Sequence, residues 1–101
     1  MEILIAKAKA LGVRIVVDAH VHQLVRENGR IVGIGYRVFG EEKGHVRARK
    51  AVILAAGQFT QNEEMLAKYL PELLDPGYTR QYTPNDDGAG HQLGLAAGGA
   101  L

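Results

Sequence analysis

The first part of the chain changes from a helical to an extended pattern of apolar residues. Residues 2–11 carry leucine and alanine at helical spacing, and Gly12 follows where helices commonly end. β-Branched residues dominate 13–17, and a second run of strand-forming residues extends over 20–26. The pattern predicts a short helix followed by two short strands.

Turn residues separate the next apolar runs. Asn28-Gly29 is typical of a two-residue hairpin, because both residues tolerate positive φ. Apolar and polar positions then alternate over 31–39 and, after a turn at 40–44, over 45–49. Together with the strand before Asn28, these segments predict an antiparallel meander of three strands.

A continuous apolar run, 51–56, follows the meander and stops at a glycine. Such a run is typical of a strand that is buried on both faces of a parallel sheet. Because Ala55, Ala56 and Gly57 carry almost no side chain, a ligand could approach the backbone closely. Ligands of open α/β sheets bind beyond the carboxyl ends of strands, so this segment predicts a cofactor site.

The remainder of the chain predicts two helices around a long loop. Thr60 with Glu63 has the form of a capping box, and Asn62 is an alternative cap for the same helix. Pro71 should end that helix, and 71–87 has no clear period, which indicates an irregular surface loop or part of a site.

A final helix is expected to start near Gly88 and to reach the last residue without a natural stop. The predicted fold class is therefore α/β, with parallel sheet strands and an inserted antiparallel meander.

Composition limits the classes of function. The chain has 101 residues, and its net charge of +1 comes from interspersed basic and acidic side chains, so we expect neither nucleic acid nor an anionic membrane as a partner. Cysteine is absent, which excludes disulfides and is compatible with a cytoplasmic location. No apolar stretch has the roughly 20 residues that a membrane-spanning helix needs.

Several polar residues near the final helix admit two interpretations. Gly88, Ala89 and Gly90 could present unpaired N–H groups to an anion, or could simply form a turn. Asp86 and Asp87 precede the helix, where carboxylates commonly cap N–H groups. Catalysis is the alternative role, and a contact with a ribose or another hydroxyl is a further one.

The remaining candidates are incomplete as sites. His20 and His22 point to the same face of a strand but lack a third metal ligand, and no metal site is predicted. His91 is either an acid–base group or a surface or cap histidine. Gly33 and Gly35 have only the first spacing of a dinucleotide fingerprint. No serine occurs, so a Ser-His-Asp triad is excluded.

An ordered set of motifs extends along nearly the whole chain. Its members are Gly12-Val13, the Asn-Gly meander, Lys50 to Phe59, Asn62-Glu63-Glu64-Met65, and Asp87-Gly88-Ala89-Gly90 through Gly98-Gly99-Ala100. The set resembles the flavoprotein family of fumarate reductase, succinate dehydrogenase and 3-ketosteroid dehydrogenases. In that family an A-(KR)-x-V-(IV)-L-A-T-G-G-F segment precedes N-x-E-M and then a G-D-G helix start.

The resemblance implies that the cofactor is FAD, whose adenosine end would run past the meander strand and the A-T-G-G turn. Carried over by motif, the backbone of Val21 would touch the adenine. The implied cofactor-binding residues are Val21, Ala55, Ala56, Gly57, Asp87, Gly88 and Ala89. The resemblance implies no catalytic residue in this chain.

The sequence departs from the family pattern at three positions. Ala56 replaces a threonine, Gln58 replaces the second glycine, and Ala89 stands where many relatives carry aspartate. The D-D-G-x-G form beginning at Asp86 is more similar to the ketosteroid dehydrogenase branch than to the fumarate reductase branch.

The resemblance also implies that residues 1–101 are the central portion of a Rossmann-like FAD-binding domain, because the family's N-terminal GxGxxG unit and substrate-capping domain have no counterpart here. The parent would be an oxidoreductase that moves a hydride between a substrate carbon–carbon bond and the flavin. Its partners would be FAD, a small-molecule substrate and the remainder of the parent chain. The alternative is a self-contained α+β protein-interaction module without catalytic activity.

Overall fold

A computed structural model describes residues 1–39, 43–80 and 83–101, which form an α+β structure. Its elements in chain order are α1 (Glu2–Ala10), β1 (Ala19–Glu27), β2 (Arg30–Val38), β3 (Lys43–Arg47), α2 (Glu63–Tyr69), a 3₁₀ helix (Pro71–Leu74) and α3 (Ala89–Ala96). The predicted turn at 40–44 lies partly outside the described residues.

The three strands form the predicted antiparallel meander, in the order β1-β2-β3. Leu24 pairs with Ile34, which pairs in turn with Val46, so apolar side chains line up across one face of the sheet. Asn28 and Gly29 have φ values of 49° and 77°, as the hairpin between β1 and β2 requires. The hairpin prediction is therefore confirmed.

The ends of α1 and α2 follow local capping chemistry. After α1, the N–H of Gly12 donates to the carbonyl of Lys9 at 3.0 Å, in a left-handed turn that satisfies the last carbonyls of the helix. Asn62 caps α2, because its Oδ1 accepts a hydrogen bond of 3.0 Å from the N–H of Met65. Of the two predicted caps, the structure selects Asn62 rather than Thr60.

Helix α3 begins after Gly88 and ends well before the last residue. The N–H groups of Gly98 and Gly99 donate at 2.9 Å to the carbonyls of Leu95 and Gly94, which is the Schellman pattern. The expectation of a helix without a natural stop was therefore wrong. Gly98 supplies the stop because its φ of 94° lies in the left-handed region.

Two predicted strands, 13–17 and 51–56, are not strands among the described residues. The prediction that 51–56 is buried on both faces is also wrong, since Ile53 is 88% exposed. Both segments contain the right residues for strands, but no neighbouring strand of the described chain offers its backbone groups to them. The parallel part of the predicted sheet is therefore not shown.

Few apolar side chains in the described residues are fully enclosed. Met65 and Leu66 of α2 are the buried hydrophobic residues there, whereas α1 buries none. The described chain contains no helix of the length and apolar character needed to cross a membrane. The small core is centred on α2, beside the segments that form the candidate site.

We predict that the backbone amides of 51–56 exchange with solvent rapidly in the monomeric 101-residue chain, because no described residue accepts hydrogen bonds from them. Amide exchange measured by NMR on dilute samples checks this expectation. The amide of Ile34 in the central strand β2 provides the internal control and should be protected. Protection of Ile53 equal to that of Ile34 would contradict the structure.

Candidate cofactor site

The candidate site is an open cleft of about 440 Å³ between the beginning of β1, segment 52–56 and the first turn of α3. Five of the seven residues implied by the sequence line this cleft, although they come from three separate parts of the chain. They are Val21, Ala55, Ala56, Asp87 and Ala89. The structure thus brings together most of the set that the sequence implied.

The other two predicted residues lie next to the cleft. Gly57 lines a neighbouring cavity of about 280 Å³, on the side of α3 that carries His91 and Leu95. Gly88 is buried and provides the N-cap of α3, where a Cβ atom would lie 2.8 Å from the Cβ of Phe59. Gly88 therefore serves packing and chain direction behind the wall of the cleft.

Helix α3 lies directly against the small-residue end of segment 52–56. A Cβ atom on Gly90 would lie only 2.7 Å from the Cβ of Ala56. This close approach requires small side chains on both elements, which explains why the apolar segment ends in alanines. The floor of the cleft consequently has no bulky side chain at this point.

Hydrogen bonds connect the turn after the alanines, residues 57–62, to the segment 83–88 before α3. The N–H of Gly88 donates to the carbonyl of Gln58 at 3.2 Å, that of Gln61 to the carbonyl of Asp86 at 2.8 Å, and Nδ2 of Asn62 to the carbonyl of Asp87 at 2.9 Å. These bonds fix the position of two walls of the cleft relative to each other.

The side chain of Asp86 forms the centre of this connection and is only 6% exposed. Its Oδ2 atom accepts hydrogen bonds from the N–H of Thr83 at 2.8 Å, Nε2 of Gln58 at 3.1 Å and Oγ1 of Thr60 at 3.5 Å. The Thr83 N–H is the main cause that lowers the pKa of the Asp86 carboxyl, against the opposing effect of desolvation.

The sequence did not predict this role for Asp86, which it treated as a helix cap or a ribose contact. Gln58, one of the partners, lies 28 residues away in the chain, and no motif spacing links the two. Asp87 precedes the N-cap residue Gly88, and its Oδ1 caps the first N–H of α3 by accepting a hydrogen bond of 2.9 Å from Ala89. The two adjacent aspartates therefore have different structural roles.

The histidines occupy different surroundings. His20 lines the cleft, and no group of three or more potential metal ligands occurs among the described residues. His91 packs edge-on against the ring of Phe59, at 5.1 Å between ring centres. Its Nδ1 atom is buried without a hydrogen-bond partner in the described part of the chain. His91 is thus a half-buried packing residue, a role that neither of the two sequence-based alternatives described.

Two polar residues near the cleft were not predicted as site residues from the sequence. Asn85 lines the cleft beside Asp87, and Gln58 connects its wall to Asp86. Asn85 falls in a stretch with no periodic pattern, so only its position two residues before Asp87 could have drawn attention to it.

We predict that Asp86→Asn lowers the free energy of unfolding at pH 7. The difference in this free energy between the variant and the unmodified chain should shrink at pH 3. The folded-state pKa of Asp86 is lowered. Ionised Asp86 therefore stabilises the fold above the unfolded-state pKa of about 3.9, and this contribution is lost as the pH falls towards the folded-state pKa. Urea denaturation at both pH values measures the difference; a deficit that is absent at pH 7, or equal at pH 3, would contradict the assignment.

We predict opposite effects from alanine at two glycines of α3. Gly90→Ala should cost about 1–3 kcal/mol, because the new Cβ atom overlaps the Cβ of Ala56. Gly94→Ala is the matched control, since its Cβ would lie 3.6 Å from Cδ1 of Leu54, an ordinary contact. It should gain about 0.5–1 kcal/mol from helix propensity. Thermal unfolding compares the two variants, and equal effects would disprove the close helix contact.

Comparisons with known proteins identify the family. The profile of the FAD binding domain family matches the chain over residues 1–101. The 4-oxocyclohex-2-ene-1-carboxylate 5-dehydrogenase of Sinomonas cyclohexanicum is 34% identical over 104 residues, which cover 100% of this chain and 17% of that enzyme.

A solved structure is similar in fold as well as in sequence. The 3-ketosteroid-delta4-(5alpha)-dehydrogenase from Rhodococcus jostii RHA1, in complex with 4-androstene-3,17-dione, matches with a TM-score of 0.80 and 35% identity. The match covers 94% of this chain and 19% of that chain, so the chain spans less than a fifth of either relative. The family match over the whole chain favours the flavoprotein interpretation over a self-contained interaction module. The chain belongs to the FAD binding domain family, and its cofactor is FAD.

Proposed function

We propose that the chain is the central portion of the FAD-binding domain of a dehydrogenase that acts on a carbon–carbon bond of a small cyclic substrate. The family match supports the cofactor. The names of the two relatives, one of which acts on a ketosteroid and the other on an oxocyclohexene carboxylate, support the reaction type and the substrate class. In such an enzyme the flavin accepts the hydride, and the protein binds and orients both molecules.

Within that domain, we propose that the cleft holds the adenosine half of FAD. The small side chains of Ala55, Ala56 and Ala89 leave space for a flat ring system, and the backbone of Val21 lies at the free edge of β1. An unpaired strand edge offers N–H and C=O groups that suit the hydrogen-bonding edge of an adenine. This convergence of Val21 with the alanines is the observation that carries the proposal.

The polar residues of the cleft also fit the adenosine half better than a phosphate. Asp87 and Asn85 line the cleft near the start of α3. A carboxylate accepts hydrogen bonds from ribose hydroxyls but repels phosphate oxygens. The cofactor pyrophosphate is therefore placed farther from Asp87, where the loops of the rest of the parent protein would hold it. Gly57 and Gly88 would contribute to cofactor binding indirectly, because their lack of a side chain shapes the wall of the cleft.

This chain contributes no proton-transfer group to the reaction in our proposal. The side chains that line the cleft belong to cofactor binding, and the substrate-facing residues would come from the remainder of the parent chain. We also propose that this remainder supplies the neighbouring strands of a parallel sheet for 13–17 and 51–56. Their exposed apolar residues and the absence of a strand partner for them among the described residues support that role. A cytoplasmic location stays a prediction.

We predict that the isolated 101-residue chain binds FAD weakly or not at all, whereas the complete protein binds it tightly. The cleft would hold only one part of the cofactor. The rest of the binding energy would come from contacts outside this chain, which the isolated chain lacks. A titration that follows flavin fluorescence measures both affinities. Submicromolar binding by the isolated chain would show that it needs no further segment, and a complete protein without affinity for FAD would refute the proposed function.

A further inference from the structure

The cleft has two walls that are remote in sequence. Several hydrogen bonds hold these walls together, and one of them forms a small junction between two side chains. The first wall is the alanine–glycine turn at 55–57, and the second is the start of α3 at 87–89. Between them lie α2 and the long loop that follows it. The junction consists of Gln58, one residue after the first wall, and Asp86, one residue before the second.

The junction places a nearly buried carboxylate where it can act on both walls. Oδ2 of Asp86 accepts the hydrogen bond from Nε2 of Gln58 at 3.1 Å, while Oδ1 lies on the side of Gly57, 3.3 Å from where a Cβ atom of that glycine would stand. The main chain continues directly from Asp86 to Asp87, whose carboxylate receives the N–H of Ala89. Asp86 is therefore hydrogen-bonded to the residue that follows the first wall and is covalently joined to the first residue of the second wall.

Side-chain chemistry makes this a specific pair. Gln58 is otherwise an exposed residue, but its amide nitrogen donates to an acceptor that already has the N–H of Thr83. Hydrogen bonds to charged groups are stronger than those between neutral groups, so a glutamine at this position contributes more than a solvent-facing side chain does. Gln61 provides a contrast in the same turn, since its side chain is exposed and only its backbone N–H reaches Asp86.

We propose that Gln58 and Asp86 are positioning residues for the adenosine half of FAD. They set the separation between the alanine–glycine turn and the start of α3 without touching the cofactor. This inference rests on the proposed function, because it assigns the cleft to the adenosine of FAD. It adds that affinity for the adenosine part depends on a hydrogen bond behind the cleft wall.

The test uses the complete flavoprotein in its apo form, with ADP and FMN as probes of the two halves of the cofactor. Gln58→Ala should raise the Kd of ADP and of FAD about tenfold, because binding would then have to restore a wall separation that one hydrogen bond to a charged group had held in the free protein. The Kd of FMN, which lacks the adenosine, should stay within about twofold of its value for the unmodified protein. Gln61→Ala is the matched control and should leave all three constants unchanged.

A second variant tests whether Gln58 and Asp86 act through the same hydrogen bond. Asp86→Asn should weaken ADP binding in the same direction, and its loss combined with that of Gln58→Ala should be less than additive, because one variant removes the charge and the other removes the donor of the same hydrogen bond. Additive losses would overturn the proposal. So would equal weakening of ADP and FMN by Gln58→Ala, which indicates a general structural defect, or an effect no larger than that of Gln61→Ala.

Different results refute the positioning role of Gln58 and Asp86 and the proposed function. If the unmodified protein binds FAD and ADP but Gln58→Ala binds them equally well, the positioning role is refuted and the proposed function stands. If the unmodified protein binds neither FAD nor ADP, the proposed function is refuted, and the positioning role with it.

Discussion

The hydrogen bonds that converge on the Asp86 carboxylate are the constraint on which the candidate site depends. They join a turn that follows one apolar segment to the residues that start another helix, although 28 residues separate Gln58 from Asp86. An almost buried carboxylate is favourable here because three donors from the protein replace its water. These hydrogen bonds hold the end of the loop after α2 against the turn at 57–62. Helix α3 therefore begins where its first turn lines the cleft.

The remaining segments of the chain differ in whether their backbone groups find hydrogen-bond partners. The meander pairs the backbone groups that its strands direct towards one another, and both α1 and α3 end in glycine turns that satisfy their last carbonyls. The segments 13–17 and 51–56 differ, since they expose apolar side chains and pair with no strand among the described residues. That contrast agrees with a chain that spans less than a fifth of its relatives. The candidate cleft lies beside 51–56, one of the segments without a strand partner among the described residues.

The sequence predicted what depends on near neighbours in the chain. The Asn28-Gly29 hairpin, the end of α1 at Gly12 and the cap at Asp87 each rest on chemistry within a few residues, and the structure contains all three. Ala55 and Ala56 were predicted as a site wall because residue size is visible in the sequence. Burial of 51–56 was predicted wrongly, because burial depends on strands that the described residues do not supply. The partners of Asp86 are set by tertiary folding, so no local pattern could indicate them.

The central claim is that the cleft between the free edge of β1 and the end of segment 52–56 receives the adenosine of FAD, with the Asp86 junction behind it. A crystal structure of the complete protein with FAD bound tests this claim most directly. The account predicts the adenine within hydrogen-bond distance of the Val21 backbone, beside Ala56, with the Gln58–Asp86 bond intact. An adenosine bound elsewhere, with the cleft filled by side chains of the protein itself, would contradict the account.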